Sequence, residues 1–152
     1  MSITDRFPFD GLDSEQSLPR LFYVVVLIPM LLGASHHVDH IIRGNHVGWP
    51  ISPEVNPFTY SLGVYPLFAV GLYLTVRGRA GARFWTAFFV FSAAMLSYFH
   101  ISPWAIEPPH HVIGPYASPL AGYVAFLVLL ALIASVTIGA GWAALVWRRK
   151  HA

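Results

Sequence analysis

The sequence predicts an all-α membrane protein, a bundle of four transmembrane helices with both termini on the cytoplasmic side. Three observations predict it: a lipid-like composition, four apolar segments of spanning length, and a one-sided distribution of basic residues. Of 152 residues, 56% are hydrophobic and only 11% charged, and the mean hydropathy is +0.59. A soluble domain usually carries about 25% charged residues. The shortfall fits a chain whose solvent is largely hydrocarbon.

The apolar segments run over 21–42, 58–76, 84–101 and 120–147. A membrane helix needs about 20 mostly apolar residues, and each segment comes near or exceeds that length. The first and third finish in polar groups. Residues 1–20 are polar, acidic and contain Pro and Gly, and they lack the basic leader of a signal peptide. The expected organisation is a cytoplasmic N-terminal segment at 1–20, a helical membrane domain at 21–147, and a basic cytoplasmic tail at 148–152.

Orientation follows from the arginines and lysines. One face collects Arg6, Arg20, Arg77, Arg79, Arg83, Arg148, Arg149 and Lys150, whereas the other has Arg43 alone. Basic residues favour the cytoplasmic side, so the first face is assigned there. The two outer connections, at about 44–57 and 102–119, are rich in proline, and the cytoplasmic turn at 77–83 is tight. Trp49, Trp104, Tyr60 and Tyr116 fall where an outer aromatic belt is expected.

These features exclude several function classes. The chain has no cysteine, which removes disulfides, thiolate metal sites and cysteine nucleophiles. A pI of about 9.2 would suit a nucleic-acid partner, but the basic residues sit at membrane edges, so none is expected. In the inner two-thirds of the spans the polar side chains are Tyr23, Thr75, Thr86, Ser92, Ser135 and Thr137, none of them acidic or basic. A pump or coupled carrier needs ionisable groups near the midplane, so a route through the membrane is not expected.

The histidines are segregated. His36, His37, His40, His46, His100, His110 and His111 fall on the outer side, together with Asp39, Glu54 and Glu107; only His151 belongs to the tail. Depth can be gauged from a helix rise of about 1.5 Å per residue. His36 comes about 24 Å beyond Arg20, and His100 about 25 Å beyond Arg83. Both lie at one level, just inside the outer edge of a hydrocarbon core about 30 Å thick. Tyr60, running back from Arg77, arrives close to it.

On the first helix, His36, Asp39, His40 and Arg43 share an arc of roughly 100°, with His37 beyond its edge. Histidines at i and i+4 present two imidazoles on one face, a spacing suited to a shared ion. The candidate metal ligands are therefore His36, His40, His100, Asp39, His37, His110, His111 and Glu107. Arg43, Tyr60 and His46 are supporting residues. Asp39 could ligate, or could fix the tautomer of a ligating histidine.

Neutral imidazole with carboxylate suits a transition metal, with Zn, Fe and Cu all open. A haem b held between His36 or His40 and His100 is the alternative cofactor. Three functions remain open. The first is a metal-dependent membrane oxidoreductase or hydrolase acting on a lipid-soluble or outer-face substrate. The second is a non-catalytic small subunit of a larger membrane complex, and the third a metal binder without chemistry. Membrane lipid is the expected neighbour, with a homo-oligomer or larger complex as further assemblies. The setting expected is a bacterial or archaeal plasma membrane.

The run His36-His37-x-x-His40 resembles one histidine box of the membrane desaturases and hydroxylases, which hold a di-iron centre. Those families use several such boxes facing the cytoplasm; here one complete run faces outward. Membrane-embedded histidines with an aspartate are also similar to the zinc-dependent hydrolases of the ceramidase and adiponectin-receptor type, whose seven-helix frame is larger. The first resemblance implies iron and oxidation, the second zinc and hydrolysis.

Overall fold

The computed structural model describes residues 20–44 and 57–149, with the side chains of Arg20, Pro57 and Tyr60 left aside. The expected N-terminal segment before residue 20, His46, Trp49, Glu54 and the tail from Lys150 through His151 lie outside the described residues. Six helices follow one another: α1 (Arg20–Arg43), α2 (Pro57–Ser61), α3 (Val64–Val76), α4 (Ala82–His100), α5 (Pro109–Ile113) and α6 (Pro119–Arg149).

Three of them are long and apolar enough to cross a membrane: α1, α4 and α6. The segment expected to form a second span is instead divided into α2 and the 13-residue α3. The break has a local cause. Pro66 has no N–H to donate to the Leu62 carbonyl, and that carbonyl takes the Tyr65 N–H in a tighter turn at 3.1 Å. Gly63 stands at the junction as the residue before α3. At about 1.5 Å per residue, α3 alone reaches roughly 20 Å, short of a hydrocarbon core.

The helix α6 is the spine, with α4 and α1 packed along it and α5 laid against its N-terminal end. The core gathers Phe22 and Val26 from α1, Trp85 and Phe89 from α4, and Leu132, Val136, Ala140 and Ala143 from α6. Small residues let these helices approach closely, as expected where lipid supplies no hydrophobic drive for association. Gly122 shows the tightest case, because a Cβ there would collide with the carbonyl of Ile113 on α5. On the other flank α3 is tied to α4 by the Trp85 indole N–H, which donates to Thr75 Oγ1 at 2.9 Å.

The hydroxyls inside the spans are spent locally. Thr75 donates to Gly71, Thr86 to Ala82, Ser92 to Phe88, Ser135 to Leu132 and Thr137 to Ile133, each to a backbone carbonyl of its own helix. In hydrocarbon every polar group needs such a partner. Large apolar side chains such as Leu31, Ile41, Phe91, Leu127 and Ile138 face outward, which a lipid solvent permits.

Candidate metal centre

The C-terminal ends of α1 and α4 and the α4–α5 connection meet in one polar layer. The helix α1 delivers His36, Asp39, His40 and Arg43 from successive turns of one face, so their convergence follows from helical period alone. His100 is the last residue of α4. Glu107 is brought back over it because its backbone N–H donates to the Phe99 carbonyl at 3.0 Å.

The ring nitrogens close on a common point. His36 Nε2 lies 3.3 Å from His100 Nε2 and 3.2 Å from His40 Nε2. Glu107 Oε2 stands 3.4 Å from His40 Nε2 and 3.3 Å from His100 Nδ1. One donor atom from each of His36, His40, His100 and Glu107 falls within 4.8 Å of all the others, so this group could hold a metal ion. His36, His100 and Glu107 are buried and His40 is half-buried.

The spacing can be compared with coordination geometry. A tetrahedral ion with ligands at about 2.0–2.1 Å has donor–donor edges of about 3.3–3.4 Å. Three of the six separations, His36–His40, His36–His100 and His40–Glu107, fall close to that edge, and all six stay within 4.8 Å. His100 Nδ1 also faces the Glu107 carbonyl oxygen at 3.3 Å. An N–H on Nδ1 pointed there leaves the Nε2 lone pair aimed at the cluster, a common arrangement for ligating histidine.

A second tier surrounds these donors. Arg43 Nε donates to Asp39 Oδ2 at 2.9 Å, and Arg43 Nη1 donates to Glu107 Oε1 at 2.6 Å and to the His111 carbonyl at 3.0 Å. Its guanidinium side chain is 1% exposed, against 7% for Asp39 and 6% for Glu107. Tyr116 donates its hydroxyl to Asp39 Oδ1. Burial and that hydrogen bond push the Tyr116 phenol up to about 12, so it remains a neutral donor across the physiological range. With neutral imidazoles, two carboxylates against one guanidinium leave one net negative charge enclosed by these residues. A cation at the cluster would balance that formal charge.

The remaining histidines are placed differently. His37 Nδ1 is 2.7 Å from the Tyr65 hydroxyl and its Nε2 is 2.9 Å from Ser61 Oγ, so its ring ties α1 to α2 and α3. Asp39 Oδ2 stands 3.9 Å from His36 Nδ1, beyond hydrogen-bond reach, and is engaged by Arg43. The rings of His110 and His111 stack edge to face on α5 with centroids 4.4 Å apart. His110 is exposed. Neither belongs to the four-residue group found among the described residues. His46 and the Tyr60 side chain lie outside the description. Sequence reasoning did not single out Ser61 and Tyr65 as partners of His37. It placed Tyr116 in an aromatic belt, where its contact with Asp39 carries no periodic signal.

A cavity of about 450 Å³ opens directly beneath the cluster, and His36, His40, His100 and Glu107 all contribute to its wall. No protein-family model matches this chain, and neither the curated proteins nor the solved structures yield a match.

Proposed function

We propose that the protein is an integral membrane metalloprotein with a single transition-metal centre held by His36, His40, His100 and Glu107. The observation that carries this reading is the convergence of one donor atom from each of four residues within 4.8 Å, with three of the separations near the edge of a metal coordination tetrahedron. The enclosed negative charge supports it independently. Three imidazoles and one carboxylate suit zinc or iron, with copper also admitted. A bis-histidine haem is disfavoured, because its two axial nitrogens must stand on opposite faces of a porphyrin. Here His40 Nε2 lies 3.2 Å from His36 Nε2, inside the space a macrocycle would need.

A cation held by these four residues beside a cavity would supply a Lewis acid, or a site where water is activated, on taking a fifth ligand from the cavity side. Arg43 would orient the Glu107 carboxylate and balance its charge, while Asp39, itself held by Tyr116, keeps Arg43 in place. This arrangement supports a metal-dependent membrane enzyme over a passive subunit.

The protein purified in detergent is expected to contain about one equivalent of zinc, iron or copper by inductively coupled plasma mass spectrometry, without a Soret band. Metal-free protein that co-purifies with other chains would instead favour a structural subunit. We also propose four passes, with α2 and α3 together filling the second, and both termini in the cytoplasm. A reporter enzyme active only in the cytoplasm should be active when fused after Ala152; a silent fusion would overturn that topology.

A further inference from the structure

We infer that the cavity beneath the cluster binds a lipid-soluble amphiphile, entered sideways from the bilayer, with one oxygen-bearing head directed at the metal and one apolar tail lying below it. This rests on the metal reading for its polar end and extends that reading to the class of substrate.

The cavity runs down the inner faces of α1 and α4. On α1 its wall extends from His40 to Pro29, and on α4 from His100 to Phe88. These stretches reach about 16 Å and about 18 Å along their helices. Below the histidines the lining is apolar, with Met30, Phe68, Phe88, Phe89, Met95 and Leu132 among its members. Aromatic rings and thioethers adapt well to a tail of irregular shape. At roughly 30 Å³ for each water-sized group, the volume admits on the order of fifteen non-hydrogen atoms.

Access is read from exposure. Of the lining residues, Gly63, Leu67 and Phe91 are the exposed ones, placed at the head and on one side of α3 and on α4. Phe91 is nine residues below His100, about 13 Å toward the middle of the bilayer. The mouth thus lies between α3 and α4, at a depth where lipid tails and not water surround the protein. A water-soluble substrate would have to cross hydrocarbon to reach it. The other end of the cavity is the histidine cluster itself, so an occupant meets apolar walls along most of its length and a Lewis acid at its tip. Those two ends define an amphiphile.

Gly33 and Ser92 line opposite walls, on α1 and α4. A Cβ on Gly33 would meet only Leu132 Cδ1 at 3.9 Å, an ordinary contact, so a larger side chain can enter the cavity there. The test uses protein loaded with Co²⁺, whose visible d–d absorption reports on ligands arriving at the metal. Decanohydroxamate and acetohydroxamate share a chelating head and differ in their tails. Both are titrated against the wild-type protein and the variants Gly33→Leu and Ser92→Phe in one detergent, so uptake by micelles is common to all three.

We expect decanohydroxamate to bind each variant about fifteenfold more weakly than the wild type. That corresponds to displacing roughly two methylenes at about fourfold each. Acetohydroxamate should bind all three alike. Equal decanohydroxamate affinity in Co²⁺-loaded wild type and variants would overturn the tail assignment and leave the metal centre standing. Failure of the wild type to take up Co²⁺ would overturn both. Should one variant not fold, the other still decides. In the wild type, a diazirine-tailed decanohydroxamate should label the segment containing Phe88 and Met95; labelling confined to the outward-facing Leu127 or Ile138 would count against the cavity.

Discussion

Replacing His100 with alanine should strip the protein of its metal. Two of the four donors are on α1 and one is on a loop, so His100 is the sole donor from α4, 3.3 Å from His36 Nε2. Loss of a hydrogen-bonding partner behind a ligand typically lowers metal affinity 10–100-fold, and loss of a ligand itself should cost no less than about 100-fold. The expected result is less than one-tenth of the wild-type metal content after dialysis. His36→Ala should behave alike, because His36 Nε2 is the atom nearest both other imidazole donors. His37→Ala should retain metal, since that ring is engaged by Tyr65 and Ser61. His151→Ala should also be without effect. Equal metal content across all four proteins, measured on material of matching elution volume, would refute the centre.

The second large effect is expected at Arg43. Its guanidinium joins Asp39 on its own helix to Glu107 and the His111 carbonyl, which come from the stretch after α4. Arg43→Met keeps much of the apolar stem and removes the charge and all these bonds. Two buried carboxylates then lose the guanidinium they share, and breaking a buried pair in this way costs about 3–5 kcal/mol. Unfolding in mixed detergent, followed by Trp fluorescence, should show a midpoint lowered accordingly. Arg43→Lys should fall between, retaining the charge without the planar fork. A midpoint for Arg43→Met equal to that of the wild type would show that the guanidinium does not clamp the C-terminal ends of α1 and α4 together.

How much of this was legible in the sequence depends on which forces set each feature. The common height of His36 and His100 could be read because helical rise is fixed and both chains start from a basic anchor. The shared face of His36, Asp39, His40 and Arg43 could be read for the same reason. Glu107 was named as a candidate, but its position depends on a backbone bond to Phe99 and on Arg43, neither of which has a sequence period. The division between α2 and α3 was missed even though its cause was visible: Pro66 removes a donor one turn after Gly63. An apolar run by itself does not register that interruption, since hydropathy counts side chains and is blind to the missing N–H. Tyr116 and Tyr65 act through single long-range contacts, which no local pattern announces.

The hydroxyls that satisfy their own helix carbonyls have one more consequence. Thr75, Thr86, Ser92, Ser135 and Thr137 have each committed their one proton to a backbone carbonyl, so relaying a proton through them would first break those bonds. A reaction at the histidines that exchanges its proton only on their own side of the membrane would avoid that cost. Such a reaction would be electrically silent, indifferent to the transmembrane voltage that acts on any charge carried across, and it would follow the acidity of the medium on its own side.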